Sequence, residues 1–251
     1  MKWNTDLYDD AQQFVSEYGK DLISFIPNKY EQRILDLGCG TGDLTNQINE
    51  SFKCDITGID YSPEMIQKAK SKYPKLDFSI CDACTIPFTN EFDVIFSNAV
   101  FHWILNQEEL HRSIYSSLKN GGMLICEFGG YKNIEKISSA FGKTIKLYGD
   151  NYDNPFYFPR VEDHVKILEN NRFEIEEVYD YDRPTILPNG ELGLRQWISQ
   201  FFSFHLNKYD VTVQEEILIA VENDLQVDMF KDNNWIADYR RIRVIAYKPI
   251  I

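Results

Sequence analysis

One short segment near the start of the chain restricts the possible folds more than any other. Residues 34–42 read Ile-Leu-Asp-Leu-Gly-Cys-Gly-Thr-Gly, an apolar run that closes on three glycines at alternate positions. Short apolar runs of this kind are typical of buried parallel strands. Glycines allow a tight turn and a close approach of a ligand to the backbone, which side chains would block. The segment therefore predicts a strand, a ligand-binding turn and a helix in an α/β fold.

Beyond this segment, strand-like and helix-like patterns alternate with short links. The first five predicted strands cover residues 33–37, 54–60, 76–80, 92–97 and 123–128. Such alternation specifies a parallel sheet with helices on both faces. Two later segments, residues 173–181 and 240–248, are also expected to be strands. The predicted fold class is α/β, with a Rossmann-like, mostly parallel sheet of seven strands.

The remaining segments have helical patterns and many aromatic residues. Residues 1–28, 131–170 and 190–231 are expected to be mainly helical. In open α/β sheets, ligands bind at the carboxyl ends of the strands, where such segments can cover them. We therefore expect one domain, residues 1–251, with a sheet core over about residues 30–130 plus the last two strands. The three helical segments would form its lid.

Charge and cysteine content indicate which partners and which compartment to expect. The formal net charge is −13, and so acidic a surface disfavours nucleic acids and anionic membranes as partners. No apolar stretch has the length that spans a bilayer. The five cysteines are expected to be reduced thiols of a cytoplasmic protein. Cys81 and Cys84 have C-x-x-C spacing without a second ligand pair, so we expect ordinary thiols and no metal.

Two acidic residues follow predicted strands at positions that suit a nucleoside. Asp60 ends the second strand, where a carboxylate can accept hydrogen bonds from ribose hydroxyls. Asp82 follows the third strand and can accept one from an adenine amine. The glycine spacing differs from the G-x-G-x-x-G of dinucleotide sites, and Asp43 would repel a pyrophosphate. The pattern predicts an adenosine ligand without phosphates and weighs against an NAD enzyme.

Taken together, the glycine turn, Asp60, Asp82 and the Phe92–Trp103 segment resemble the class I methyltransferases that use S-adenosylmethionine (SAM). The resemblance covers about residues 30–130. It implies an enzyme that transfers a methyl group from SAM and releases S-adenosylhomocysteine, without a metal. The alternative outside enzymes is a SAM-binding protein with a regulatory or structural role, and the intact turn and aspartates weigh against it.

The same resemblance assigns the cofactor residues by position. The methionine part of SAM would lie against the glycine turn, and its sulfonium near Asn98. Asp60 would hold the ribose, and Tyr61 and Met65 would flank the adenine. The complete set of expected cofactor residues is Asp36, Gly38, Cys39, Gly40, Gly42, Asp60, Tyr61, Met65, Asp82, Ala83 and Asn98.

A His-Trp pair closes the Phe92–Trp103 segment and resembles the small-molecule carboxyl methyltransferases. These include the trans-aconitate, malonyl-carrier-protein and juvenile hormone acid enzymes. The likeness implies a small carboxylic acid as substrate, with His102 and Trp103 as catalytic residues. The expected substrate-binding residues are Tyr8, Gln12, Tyr157, Arg183, Trp197 and Arg241.

The nucleophile stays open from the residues alone. A carboxylate is ionised at neutral pH and needs no base, so alignment would suffice. An amine or phenol would benefit from a base, and His102 is the best-placed candidate for an N- or phenol-O-methyltransferase. An anionic substrate needs cations, and five arginines are available: Arg183, Arg195, Arg240, Arg241 and Arg243. We expect a monomer or a homodimer.

Overall fold

The computed structural model describes Gly19 and residues 21–29 and 31–250. This part of the chain divides into two compact units. The first unit contains the described residues up to Tyr131, Phe156–Asp180 and the described residues from Arg241 onward. The second unit contains Lys132–Pro155 and Tyr181–Arg240.

Ten strands occur in the described residues. They are β1 (Arg33–Leu37), β2 (Asp55–Asp60), β3 (Asp77–Ile80), β4 (Phe92–Asn98), β5 (Leu118–Gly129), β6 (Glu174–Asp182), β7 (Thr185–Ile186), β8 (Phe230–Lys231), β9 (Asn234–Ala237) and β10 (Arg240–Tyr247). Seven of them form one sheet in the order β3-β2-β1-β4-β5-β10-β6. The first five strands of that sheet pair in parallel, and β10 runs antiparallel to β5. The predicted Rossmann-like fold is therefore confirmed.

Helices lie between most successive strands of the large sheet, where parallel pairing requires crossover connections. These helices are α1 (Asp43–Phe52), α2 (Pro63–Lys72), α3 (Gln107–Ser117) and α5 (Val161–Asn170). The chain enters the sheet at β1, extends to β3 on one side and then returns to β4 on the other. This reversal is a switch point, where α/β sheets bind ligands beyond the carboxyl ends of the strands.

The second unit is mainly helical and carries a small antiparallel sheet. Its helices are α4 (Glu135–Lys146), α6 (Gly193–Phe201), α7 (Ser203–Leu206) and α8 (Val211–Met229). Its sheet has the order β7-β9-β8. The helices agree with the predicted helical segments, but the sequence did not reveal the sheet, because two of its strands have only two residues. In the described part of the chain, none of the helices has the length and apolar content needed to cross a membrane.

Apolar side chains cover both faces of the large sheet. One core cluster includes Leu35, Ile95 and Phe128, and the other includes Ile34, Phe96 and Ile125. Neighbouring residues of a strand point to opposite faces, so these clusters lie on opposite sides of the sheet. The alternation continues toward the carboxyl ends of the parallel strands. There, polar side chains take over the face of the second cluster: Asp36, Asn98, Glu127, Arg243 and Arg241.

The first predicted helical segment, residues 1–28, lies largely outside the described residues. Only its last part is described, and residues 21–23 are helical. Leu22 and Ile26 are buried in the second cluster. Tyr8 and Gln12, expected to bind substrate, also lie outside the described residues, and their role stays a prediction.

Candidate active site

The glycine turn after β1 has the tight geometry that the sequence predicts. Gly38, Gly40 and Gly42 all have positive φ, at 77°, 53° and 84°. A Cβ on Gly38 would lie 2.1 Å from Cγ2 of Val100, so only glycine permits this approach of the turn to the segment after β4. The N–H groups of Gly38 and Cys39 both donate to the carbonyl of Ile59 on β2. The turn therefore joins the carboxyl ends of three strands.

Asp60, the last residue of β2, holds this turn. Its Oδ2 accepts the N–H of Gly40 at 3.0 Å, and its Oδ1 accepts the N–H of Ser62 at 2.9 Å. Burial raises the pKa of its carboxyl, and these two hydrogen bonds partly oppose the rise. Asp60 thus has a structural function in addition to the ribose contact that the family pattern implies.

The residues expected at the adenine differ in their exposure. Tyr61 is 76% exposed, so its ring can stack on a base, whereas Met65 on α2 is only 3% exposed. Asp82 is exposed, and its carboxylate accepts the N–H of Cys84, which caps the short 3₁₀ helix Ala83–Thr85. The N–H of Cys81 donates to the carbonyl of Asp60, so these two strand ends lie side by side.

Asp36 is a buried carboxylate on β1. Its side chain is hidden from solvent and, within the described part of the chain, accepts one hydrogen bond, from Thr45 Oγ1 at 2.6 Å. Burial, with the nearby charge of Asp60, raises the pKa of Asp36 to about 7 although the Thr45 bond opposes the rise. No ion pair links Asp36, Asp60 or Asp82 to a lysine or arginine of the described residues.

The chemistry of these residues decides which ligand suits them. Three carboxylates that have no cationic partner among the described residues favour a ligand that brings hydrogen-bond donors and positive charge. SAM brings both, through its ribose, its adenine amine, its ammonium and its sulfonium. A pyrophosphate would instead meet these carboxylates and Asp43, although Lys72 and Tyr73 bind that last side chain. The residues therefore fit SAM better than a dinucleotide.

The cysteines behave as ordinary thiols. All five are free, and burial raises the pKa of Cys39, Cys81 and Cys84, which disfavours the reactive thiolate. Among the described residues, no group of three or more His, Cys, Asp or Glu side chains could hold a metal ion.

A short 3₁₀ turn, Phe101–Trp103, carries the expected catalytic pair. Ahead of it, Asn98 pairs with Glu127 across β4 and β5, and Ala99 has a positive φ of 60°. A side-chain-bearing residue adopts this conformation only at some cost in energy, and such strain is common at functional sites. The strained residue turns the chain sharply at the switch point.

His102 is neutral and buried at the end of β5. Its Nδ1 accepts the N–H of Gly129 at 3.3 Å. Burial, together with the positive charge of Arg241, keeps the pKa of His102 well below its usual value. Because Nδ1 accepts a hydrogen bond, the ring proton is assigned to Nε2.

An aromatic group surrounds this pair within the first unit. Trp103 is half-buried and meets Phe156 edge to face, with ring centroids 4.8 Å apart. His102 lies 5.9 Å from Phe158, and the rings of Phe156 and Phe158 stack. Phe156 and Phe158 therefore pack on the His-Trp turn.

The residues expected to bind substrate do not all gather here. Arg241 lies beside the His-Trp turn, because it pairs with Gly129 at the carboxyl end of β5 and its charge acts on His102. Tyr157 contacts the turn through its backbone, because its N–H donates to the carbonyl of His102 at 2.9 Å. Its ring, however, packs against the first core cluster, and its hydroxyl lies 3.3 Å from His164.

The other two expected substrate residues belong to the second unit. Trp197 is 7% exposed and donates from its indole to the hydroxyl of Tyr239 at 2.6 Å, which makes it a core residue of that unit. The guanidinium of Arg183 lies over the ring of Tyr181. The remaining arginines considered above are paired with carboxylates: Arg195 with Glu215 and Glu222, Arg240 with Asp182, and Arg243 with Glu127.

Two polar residues near the turn were not singled out in the sequence. Glu127 lies in an apolar strand and is 2% exposed, and its ion pair with Arg243 has an N–O distance of 2.6 Å. A charged residue within an otherwise apolar strand was the sequence signal that could have identified Glu127. Gln107 is 4% exposed at the start of α3, and no pattern in the sequence distinguished it.

The strand order and the glycine turn define a Rossmann-like protein of the class that binds nucleosides at the switch point. A model of the family described as "Methyltransferase domain" matches residues 28–176. The chain belongs to this family and is a class I SAM-dependent methyltransferase.

Curated relatives agree with this placement. An uncharacterized methyltransferase from Schizosaccharomyces pombe is 29% identical and covers 98% of both chains. A malonyl-[acyl-carrier protein] O-methyltransferase from Bacillus cereus is 29% identical over 55% of this chain and 54% of its own length. A trans-aconitate 2-methyltransferase from Rhizobium rhizogenes is 31% identical over 49% of each chain. The match thus spans about half of each of the last two relatives.

Solved structures share the fold. Haemonchus contortus phosphoethanolamine N-methyltransferase 2, in complex with S-adenosyl-L-methionine, matches with a TM-score of 0.63 at 22% identity. The match covers 98% of this chain and 57% of that chain.

Asp60→Ala is expected to weaken SAM binding by about 100-fold or more. The substitution removes the acceptor proposed for the ribose hydroxyls, and it frees the N–H of Gly40, which loosens the turn. Isothermal titration with SAM measures the effect, and circular dichroism shows whether the fold persists. Asp77→Asn on β3 is a matched control, because it removes one negative charge at the amino end of a neighbouring strand. Unchanged SAM affinity of Asp60→Ala would refute the ribose assignment.

Proposed function

We propose that this methyltransferase acts on a carboxylate of a small molecule and forms a methyl ester. The state of His102 is the observation that carries the proposal. Its ring is neutral, its Nδ1 is occupied by the N–H of Gly129, and its proton lies on Nε2. A ring in this state is a hydrogen-bond donor rather than a base. A carboxylate suits such a site because it is already ionised at neutral pH and needs no base.

The positive charge of Arg241 beside His102 supports an anionic substrate. Arg241 is 8% exposed, at the amino end of β10 and directly opposite Gly129. A guanidinium binds a carboxylate through two parallel hydrogen bonds, and burial strengthens the attraction. Arg241 is our choice for the substrate contact because it is buried beside the end of β5 and its charge acts on His102.

The reaction then depends on alignment. When bound, SAM supplies an electrophilic methyl group on its sulfonium. His102 Nε2–H and Arg241 would hold the substrate carboxylate so that one oxygen lies in line with the carbon–sulfur bond. Trp103 and Phe156 would exclude water from the reacting atoms. Holding two reactants in a near-attack geometry accounts for several kcal/mol of barrier reduction, about 7–11 kcal/mol in the best cases.

Several finer assignments belong to this proposal. Asp36, Gly38, Cys39, Gly40 and Gly42 would contact the methionine part of SAM, and Asn98 would face its sulfonium. The relatives named as trans-aconitate and malonyl-carrier-protein methyltransferases act, by their names, on carboxylic acids, which supports a small acid as the substrate. The lid would come from the helical segments 1–28, 131–170 and 190–231, and the protein would work in the cytoplasm.

A label-transfer assay tests the chemistry. The protein is incubated with methyl-labelled SAM and a panel that contains trans-aconitate, other small di- and tricarboxylates and malonyl thioesters. The product is then treated with alkali, which releases a methyl ester as methanol and leaves methylamines and phenol ethers intact. Label that resists alkali would contradict the carboxylate proposal.

The same assay shows whether His102 acts as a hydrogen-bond donor or as a base. His102→Gln keeps an N–H donor but cannot accept a proton at neutral pH. We expect it to retain methyl transfer within about tenfold of the parent, whereas His102→Phe loses about 100-fold. Equal, near-complete loss in both variants would favour the N- or phenol-O-methyltransferase with His102 as base.

A further inference from the structure

One buried amide holds both ends of the 3₁₀ turn that carries His102 and Trp103. The side-chain Nε2 of Gln107 donates to the carbonyl of Phe101 at 2.9 Å and to the carbonyl of Ile104 at 2.6 Å. Phe101 begins the turn, and Ile104 immediately follows it. The two hydrogens of a single nitrogen therefore bind the backbone on both sides of the pair.

The turn has few other internal constraints. Its own backbone hydrogen bonds run from Trp103 to Val100 and from Ile104 to Phe101, at 2.9 and 3.1 Å. Short 3₁₀ turns have poorer hydrogen-bond geometry than α-helices and are held mainly by their surroundings. The strained Ala99 precedes this turn and adds no stability of its own. The N–H of Tyr157 adds one bond from outside, to the carbonyl of His102, and Gln107 adds two, to the carbonyls on either side of the His-Trp pair.

The amide has one favourable orientation. Reversing it would point Oε1 at two carbonyl oxygens, which repel it. As it stands, Oε1 is buried and has no hydrogen-bond partner among the described residues. Leaving an acceptor unsatisfied in the core is unfavourable, so the contacts made by Nε2 must outweigh it.

We propose that Gln107 is a positioning residue of the methyltransferase: it sets the orientation of the His102 and Trp103 rings by clamping the turn that bears them. The proposal rests on the proposed function, in which this pair meets the substrate. Gln107 itself acts only through the backbone of the turn. Glutamine suits the site because its side-chain nitrogen donates to both carbonyls at once. Methionine has no N–H donor in its side chain, and glutamate would place negative oxygens against both carbonyls.

Fluorine NMR tests the positioning directly, without a substrate. The chain has four tryptophans, and 5-fluorotryptophan labelling gives each its own resonance, with Trp103→Phe identifying the one from Trp103. In Gln107→Met we expect the Trp103 resonance to shift or broaden while those of Trp197 and Trp235 stay in place. In Gln107→Glu the Trp103 resonance should shift further. A Trp103 resonance unchanged in both variants would overturn the proposal.

A neighbouring substitution controls for damage to the start of α3. The side chain of Asn106 caps this helix by accepting the N–H of Glu109, and its capping bond does not involve the turn. Asn106→Ala should therefore leave the Trp103 resonance unchanged. A shift equal to that of Gln107→Met would assign the effect to the helix and overturn the clamp.

Kinetics then tests whether orientation matters for the reaction. With trans-aconitate as acceptor, we expect Gln107→Met to lower kcat by about 10- to 100-fold, because small misplacements of reacting groups have effects of that size. SAM affinity should stay within about twofold, since the clamp does not touch the glycine turn. Normal kcat in a variant with a displaced Trp103 would overturn the positioning function. Absence of transfer in the parent would count against the proposed substrate class, and the NMR result would still decide the clamp.

Discussion

At pH 8, Asp36→Asn is expected to bind SAM about 100-fold more weakly than the parent and yet to unfold at a higher temperature. The loss of affinity follows if the carboxylate faces the cationic methionine end of SAM, because a charged hydrogen bond contributes about 1.5–3 kcal/mol. The gain in stability follows from the burial of a negative charge whose one hydrogen-bond partner among the described residues is Thr45.

The pH dependence of this gain has a definite sign. Burial raises the pKa of Asp36 from 3.8 to about 7 in the folded protein. Asp36 therefore favours folding most below pH 4, and that contribution is lost as the pH rises through 7. The total loss is about 4 kcal/mol for a rise of this size. A neutral asparagine avoids it, so the stability difference between variant and parent should grow from pH 4 to 7 and stay constant above.

Urea unfolding of the cofactor-free protein at a series of pH values measures this difference. We expect a gain of about 2 kcal/mol at pH 8, or about 4–8 °C in Tm, after allowing for imperfect hydrogen bonding of the amide. Asp77→Asn is again the control, since its exposed carboxylate should give no such gain. Equal stability of Asp36→Asn and the parent at pH 8 would show that Asp36 does not carry a buried charge.

The fold was predictable because its signals are local. Alternating strand and helix patterns, the three glycines and the apolar runs each depend on a few neighbouring residues, and the seven-stranded sheet follows from them. The small antiparallel sheet was missed for the same reason: a two-residue strand such as Thr185–Ile186 has no periodicity to detect, and only its long-range pairing with β9 defines it.

The candidate site likewise contains some residues that the sequence could locate and others that it could not. Residues that adjoin strand ends, such as Asp36, Asp60 and Asp82, could be located because the carboxyl ends of parallel strands meet at one edge. Residues that depend on tertiary packing could not. Trp197 has the same aromatic character as a pocket wall, but its indole is satisfied inside the second unit by Tyr239. The clamp by Gln107 likewise depends on a turn whose existence the sequence did not reveal.

Acid is expected to destabilise this protein through two histidines that the proposed reaction does not use. His111 on α3 and His164 on α5 are fully buried, with ring centroids 5.0 Å apart. Burial lowers the pKa of His111 from 6.5 to about 4, although its hydrogen bond to the carbonyl of Gln107 and the charge of Glu108 oppose the fall. Burial, with the neighbouring His111, lowers the pKa of His164 in the same direction.

The direction of this pH dependence of stability follows from proton uptake. Between pH 6.5 and 4 the unfolded chain protonates these histidines and the folded protein does not, so stability falls as the pH falls. His111 alone should account for a loss of about 3 kcal/mol across this range, and His164 adds to it. Neither Nε2 atom has a hydrogen-bond partner among the described residues, so a proton added there would meet no acceptor.

Substitution by phenylalanine separates this effect from general acid denaturation. His111→Phe keeps a ring that can pack edge to face on Phe101, as the imidazole does at 5.4 Å, but it cannot titrate. At pH 8 the variant should lose about 1 kcal/mol, because its hydrogen bond to Gln107 is gone. From pH 6.5 to 4 it should lose about 3 kcal/mol less than the parent, so that the two unfolding curves cross. Parallel curves over that range would mean that His111 is protonated in the folded protein and that the buried pair does not govern acid stability.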